Sequence, residues 1–308
     1  APLLALACLL GLTSCSAARS GTRPLAWGVF APDDGAGSSD LSAIALMAGD
    51  QPDYVERFAA IDEPVPIGAL DGISNAGMTP ILTLEPWVPG RGVDQPDYSL
   101  ARIAAGHHDA ALTRWAGRLA AWGRPLLLRF AHEPNSDWYP WSVGSNGNDA
   151  GDYVAAWRHI HDVFGSAGAD QVSFVWAANV PYPGSSDLAA TYPGPQDVDY
   201  LGLDGYNWGD GEGRTWQHPS ELLGAGLAQL RELDGDKPIL VTEVASNEGA
   251  ALGTDKARWI GQLVDYLSRE DRVAGFVWFQ ADKERDWRFN STPEAQDAMK
   301  DALAALPG

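Results

Sequence analysis

One repeated pattern limits what this chain can fold into more than any other feature. A short apolar run is followed by a stretch with apolar residues at helical spacing, and the pair recurs along the sequence. The runs are residues 25–32 (LAWGVFAP), 53–62 (DYVERFAAID), 79–87 (TPILTLEPW), 124–135 (RPLLLRFAHEPN), 172–180 (VSFVWAANV), 198–209 (VDYLGLDGYNWG), 237–246 (KPILVTEVAS) and 272–280 (RVAGFVWFQ). Residues 53–62 are the weakest candidate. Strands covered on both faces read as near-continuous apolar runs, and eight strand-then-helix units predict an α/β fold, a (β/α)8 TIM barrel. The alternative is a doubly wound open sheet, which brings a glycine-rich phosphate loop after its first strand. Here the first run leads into APDDGAGSSD, which lacks the G-x-G-x-x-G spacing and carries acids that repel phosphate.

A net charge of −20 argues against nucleic acid and anionic lipid as partners and suits something neutral. Thirteen tryptophans is a high count for this length; some are expected in the core, and a surplus near strand ends would suit flat apolar ligands such as sugar rings. The first fourteen residues, APLLALACLLGLTS, are uncharged and too short to span a bilayer. They read as the apolar part of a signal peptide. Leu12–Cys15 resembles a bacterial lipoprotein cleavage site, in which Cys15 becomes the lipidated first residue; an ordinary secretory signal is the alternative. We therefore expect residues 1–20 to be a signal remnant with a short polar tether, and 21–308 to be the barrel domain. The protein is expected to be exported, anchored at the cell surface through Cys15 or otherwise secreted, and monomeric. The only other cysteine is Cys8, so the domain has none for disulfides, thiolate metal sites or nucleophilic catalysis. His107 and His108 are adjacent and point about 100° apart on a helix, a poor arrangement for one ion. No metal or cofactor is expected.

In a barrel the functional residues sit at the carboxyl ends of the strands. The third run ends in Glu85 and Trp87, the fourth in His132 and Glu133, the sixth in Asp204, Tyr206 and Trp208, and the seventh in Glu243; the eighth carries Trp278. Strand alternation places Arg129 and Glu133 on one face, and Ile239, Val241 and Glu243 on one face. An ion pair with Arg129 is the plain alternative for Glu133, because a charge inside a barrel needs a partner. Two facing glutamates flanked by aromatics point instead to glycoside hydrolysis, in which one carboxyl gives a proton to the leaving oxygen and the other attacks or activates water.

RFAHEPNSDWYPW, GLDGYNWG, PILVTEVAS and VWFQADKERDWRFNS, taken with LEPW and YVAAWRHIHDVF, resemble glycoside hydrolase family 26. The resemblance runs from Trp27 to about Ser291. It implies a retaining mechanism with Glu133 as acid/base and Glu243 as nucleophile. It also implies His132 as the residue positioning the site, Tyr206 as the hydrogen-bond donor to the nucleophile, Trp138 as an aromatic near the leaving-group side and Trp278 as a sugar platform. Physical reasons accompany these roles. A tyrosine hydroxyl on Glu243 favours its ionised form, and burial among Trp138, Tyr139 and Trp141 keeps Glu133 protonated. Retention requires the two carboxyls to stand about 5–5.5 Å apart. Glu85, Trp87, Arg129, Trp141, Asp204 and Trp208 are further substrate-binding candidates. Trp115, Trp122, Trp157 and Trp259 lie in helical patterns and are expected in the core.

The family's substrates are chiefly β-1,4-mannans, with smaller groups cutting mixed-linkage β-1,3-1,4-glucan or β-1,3-xylan. Family frequency puts an endo-β-1,4-mannanase first. Trp138-Tyr139-Pro140-Trp141 departs from the W-F-W-W of many mannanases and looks closer to the β-glucan-cutting members, and HEPN replaces the commoner H-E-M-N. A surface lipoprotein that binds glycan without cutting it is the non-enzymatic alternative, which paired glutamates disfavour. For the amino-terminal segment the expected outcome is incorporation of radiolabelled palmitate by the full chain and its loss in Cys15→Ala; equal labelling of both would remove Cys15 as the anchor.

Overall fold

The eight runs form eight parallel strands, and their order in the sheet is their order in the chain, β1 to β8, closing back onto β1. The computed structural model describes residues 25–32, 39–211, 213–252 and 254–307. The expected signal remnant and Cys15 lie outside the described residues. The strands are β1 (Ala26–Phe30), β2 (Tyr54–Ala60), β3 (Thr79–Glu85), β4 (Leu126–Phe130), β5 (Val172–Asn179), β6 (Tyr200–Asn207), β7 (Ile239–Ser246) and β8 (Val273–Phe279). Closure removes the free sheet edges and excludes the open doubly wound alternative.

Helices α1 (Ser39–Ala48), α2 (Ile67–Asn75), α3 (Leu100–Ala104), α4 (Asp109–Trp122), α5 (Ala150–Ser166), α6 (Leu188–Thr191), α7 (Pro219–Leu233), α8 (Thr254–Leu267) and α9 (Pro293–Ala304) form the outer ring. Local chemistry sets their ends. Asp149 and Asp152 form a reciprocal capping box at the start of α5, and Thr292 caps α9 ahead of Pro293. The fifth crossover carries only the four residues of α6. Trp115, Trp157 and Trp259 are buried between helices and sheet as expected. Trp122 is half-buried and donates its indole N–H to Asp71 at 2.9 Å.

Inside the barrel the side chains lie in layers, the usual way this architecture fills its centre. An apolar plug of Ile81, Leu127, Val175, Leu240 and Val277 closes the amino-terminal end. Above it lies a polar layer with Glu56, Thr83, Arg129, Asp204 and Thr242, all without exposure. Above that the carboxyl ends of the strands open to solvent.

Two irregularities correct the expected facing. Leu240 belongs to the interior plug, whereas Ile239 and Val241 pack in the outer core. Strict alternation from Leu240 would then turn Glu243 outward. Instead Leu203 pairs with Val241 and Asp204 with Glu243, so Thr242 is an extra residue on β7. This bulge re-phases the strand. Thr242 and Glu243 consequently both face inward, and Glu243 reaches the site by a bulge rather than by sharing a face with Ile239 and Val241. On β4 the regular strand stops at Phe130; Ala131 and Glu133 then take positive φ values of 44° and 52°. His132 and Glu133 are therefore aimed by a strained turn, not by strand alternation.

The interior leaves no room at Gly202, where an added Cβ would lie 2.6 Å from the Ala177 Cβ. Gly202→Ala is expected to destabilise the fold by about 1–3 kcal/mol by overpacking. Urea unfolding checks this, and wild-type stability would refute the close approach.

Candidate active site

The polar layer is organised by one cation. The Arg129 guanidinium is wholly buried and faces three carboxylates from three other strands. Its Nη1 donates to Asp204 Oδ2 at 2.8 Å, and its Nη2 lies 2.6 Å from Glu56 Oε1 and donates to Glu243 Oε1. Its Nε donates to Thr83 Oγ1 at 2.8 Å, and the Thr83 hydroxyl donates onward to Glu56 at 2.8 Å. Burial works against the guanidinium charge, yet Asp204, Glu56 and Glu243 together hold its pKa well above the usual value. Burial pushes Asp204 up to about 7 against the pull of Arg129. Arg129 and Asp204 thus lie beneath the site, and neither lines the cleft. This corrects their assignment as substrate-binding residues: ion pairing across the barrel uses up their polar atoms. The Arg129–Glu133 pair also does not form; Glu56, Asp204 and Glu243 are the partners.

Glu133 and Glu243 both line a single cleft of about 960 Å3 at the carboxyl ends of the strands. Their surroundings differ. Glu243 receives Arg129 on Oε1 and the Tyr206 hydroxyl on Oε2, so each oxygen has a donor. Glu133 receives one side-chain donor, the Trp138 indole N–H at 2.8 Å on Oε2. Burial pushes the Glu133 carboxyl well above the usual carboxylate range, and Asp204 and Glu243 add to the rise. His132 lies just under the floor, its Nε2 2.9 Å from the Tyr139 hydroxyl and 4.0 Å from Glu243 Oε1. Burial, reinforced by Arg129, lowers its pKa well below the ordinary value, so the ring is neutral.

Around the two carboxyls the cleft is aromatic. Trp138, 42% exposed, stacks with Tyr182 at 5.5 Å beside Glu133. On the β3 side, Glu85 accepts the Trp87 indole N–H at 3.1 Å, and burial raises the Glu85 pKa to about 7. Trp208 also lines the cleft, with Trp287 edge-on at 4.9 Å. One Trp208 face is already occupied by the Arg214 guanidinium, 3.8 Å from the ring centroid. Lys256 secures this wall from behind. It is buried, pairs with Glu248 at 2.9 Å and donates to the carbonyls of Asp286 and Arg288 on either side of Trp287.

Two expected platforms are not in the cleft. Trp278 points into the helix layer, packs edge-on against Trp259 at 6.2 Å and donates to the Trp287 carbonyl. On β8 the inward parity belongs to Val277 and Phe279, and Trp287 from the following loop comes to the edge of the cleft, itself buried against Tyr206 and Trp208. Trp141 is wholly buried; it stacks beneath Tyr139 at 4.4 Å and bonds to the His132 carbonyl. Sequence reading also missed Glu56, whose only signal was a charged residue on the inward parity of β2, and Tyr182, which follows β5 without a motif.

Residues 96–239 match the model of glycosyl hydrolase family 26. The chain is 34% identical over 305 residues to endoglucanase H of Acetivibrio thermocellus, covering 96% of this chain and 32% of that protein. It is 24% identical over 293 residues to a β-1,3-xylanase of Vibrio sp, covering 85% of this chain and 60% of that one. The chain thus spans about a third and three fifths of these relatives' lengths. Its backbone superposes on a modular endo-β-1,4-mannanase of Cellulomonas fimi with a TM-score of 0.70 at 20% identity, over 93% of this chain and 72% of that one.

Removing the central cation tests the ion cluster. Arg129→Leu leaves Glu56 and Asp204 with raised pKa values and no cation. Such groups support the fold while protonated and cease to do so as pH rises through the raised values. The expected loss is about 3–5 kcal/mol at pH 8 and clearly smaller at pH 5. Urea unfolding at both pH values checks it; a loss that grows toward acid would contradict this account.

Proposed function

This chain belongs to glycosyl hydrolase family 26, and from that premise we propose that it is a retaining glycoside hydrolase of β-linked polysaccharide. The observation that carries the proposal is the contrast between the two cleft glutamates. Glu243 has a donor on each oxygen, as a carboxylate nucleophile needs, while Glu133 is held protonated by burial, as a general acid needs. In the first step Glu243 attacks the anomeric carbon while Glu133 gives its proton to the departing glycosidic oxygen. The C–O bond to the leaving sugar breaks and a glycosyl ester on Glu243 forms. Glu133, now a carboxylate, takes a proton from water as that water attacks the same carbon and releases Glu243. Tyr206 and Arg129 hold the nucleophile's orientation. The Trp138–Tyr182 pair supports a sugar ring beside Glu133, and Trp87 offers apolar surface elsewhere along the cleft.

For the substrate, β-1,3-1,4-glucan is the first reading. It is favoured by the 34% identity to endoglucanase H along nearly the whole chain and by Trp138-Tyr139-Pro140-Trp141. Mannan, expected first from family frequency, becomes the second reading, and β-1,3-xylan the third.

The test is reducing-end release by the full chain on mixed-linkage glucan, mannan, glucomannan and β-1,3-xylan. Glu133→Ala is expected to lose about 10²–10⁴-fold in kcat/KM on natural substrate. The alkaline limb of wild-type activity is expected well above the ordinary carboxylate range, because activity falls as Glu133 deprotonates. Proton NMR of the first product is expected to show retained anomeric configuration. Release on no glycan, with binding intact, would favour a glycan-binding protein; inversion would remove Glu243 from its role.

A further inference from the structure

The cluster around Arg129 poses a charge problem that the proposed mechanism does not use. Glu56, Asp204 and Glu243 all approach the one guanidinium, and no other cation reaches Glu56 or Asp204 among the described residues. With all three ionised, three negative charges would share one positive charge, and two of them, Glu56 and Asp204, have no exposure at all. Burial pushes both of these carboxyls upward. A proton on one of them relieves the buried layer and leaves the remaining excess charge on Glu243, which lines the cleft.

Donor geometry says which. Glu243 has Arg129 on one oxygen and Tyr206 on the other. Asp204 has Thr242 on Oδ1 and Arg129 on Oδ2. Glu56 has Thr83 and Arg129 both on Oε1, while its Oε2 is buried with no hydrogen-bond partner among the described residues. A carboxylate spreads its charge over two oxygens and needs donors at both, so the carboxyl with a bare oxygen is the one that is stable neutral.

We propose that Glu56 is a positioning residue that works as a neutral carboxylic acid: its Oε1 accepts from Arg129 and Thr83 and fixes the guanidinium plane, while its protonated Oε2 leaves the Arg129 charge to Asp204 and to the nucleophile Glu243. Burial pushes Glu56 well above the usual carboxylate range; Arg129 opposes the rise, and Glu243 and Asp204 add to it. The groups facing Glu56 are Thr83 from β3, Arg129 from β4, Asp204 from β6 and Glu243 from β7, with Phe58 on its own strand contributing no titratable group. A neutral Glu56 allows Arg129 to serve as a full positive partner for the nucleophile in the resting site. When the glycosyl ester forms, the Glu243 charge is consumed and Asp204 alone continues to balance Arg129. The cation then neither repels nor is stranded. The role of Glu243 rests on the proposed hydrolase reading, but the protonation of Glu56 does not.

Carbon-13 NMR of the full chain labelled at glutamate carboxyls separates the two. The resonance lost in Glu56→Gln is expected at the carboxylic-acid position and stationary from pH 5 to pH 8; a lost resonance at the carboxylate position overturns the proposal. If that variant does not fold, Thr83→Val makes the same assignment, since it removes a donor from Glu56 and moves its signal. On active substrate, Glu56→Leu is expected to lower kcat about tenfold with KM little changed, because the guanidinium loses its guide, and Glu56→Gln to restore most of the loss. The acid limb of kcat/KM is expected to stay in place in Glu56→Gln. An ionised Glu56 would be a neighbouring negative charge, and its removal would move that limb to lower pH by about a unit, which overturns the proposal. If no substrate is found, the NMR assignment still decides the protonation.

Discussion

The site depends on a cation that lies beneath the cleft without lining it. Arg129 is buried at the centre of the barrel and collects carboxyls from β2, β6 and β7. In water such contacts would be worth little. Inside the barrel the alternative to each contact is an unpaired charge, so the cluster allows one arrangement of strands and penalises others. It also couples the two halves of the barrel. The nucleophile candidate on β7 is oriented by a side chain on β4, which in turn is held by Thr83 on β3 and Asp204 on β6. The orientation of Glu243 is therefore set by the barrel interior, whereas Glu133 owes its aim to the turn that follows β4.

Above that floor, the tryptophan surplus divides into two populations. Trp115, Trp157, Trp259 and Trp278 fill the space between helices and sheet, where their bulk stabilises the outer core. Trp87, Trp138, Trp208 and Trp287 line the cleft, each with an indole or ring face committed to a protein partner. Aromatic walls fixed in this way present apolar faces to a ligand without having to be ordered by it.

Most of the fold could be read in the sequence, because strands buried on both faces leave a continuous apolar signature. Even β2, the weakest run, formed where expected, with Glu56 and Arg57 interrupting its pattern. Glu133, Glu243, Tyr206 and Trp138 could be read as well, since strand ends and motif order place them at one rim. What could not be read is parity and partnership. Trp278 and Trp287 lie nine residues apart, and which one reaches the cleft depends on the phase of β8 and the path of the loop after it. Asp204 looked like a rim residue, and Arg129 could be read as a barrel charge in need of a partner but not paired, because its partners Asp204 and Glu243 lie 75 and 114 positions away along the chain. No local pattern records a charge balance made across a barrel.

The bulge at Thr242 has a consequence at the level of inheritance. Thr242 is a residue more than plain alternation allows, and the bulge absorbs it, so that Glu243 still pairs with Asp204 and faces inward. A lineage that lost that single codon would return β7 to plain alternation from Leu240 with the glutamate still inward, and would give up only the hydroxyl that Thr242 donates to Asp204. A lineage that kept the codon but straightened the strand would turn the same glutamate to the helix layer. In this architecture a site can be abandoned through the path of a strand, with no change in the identity of any residue.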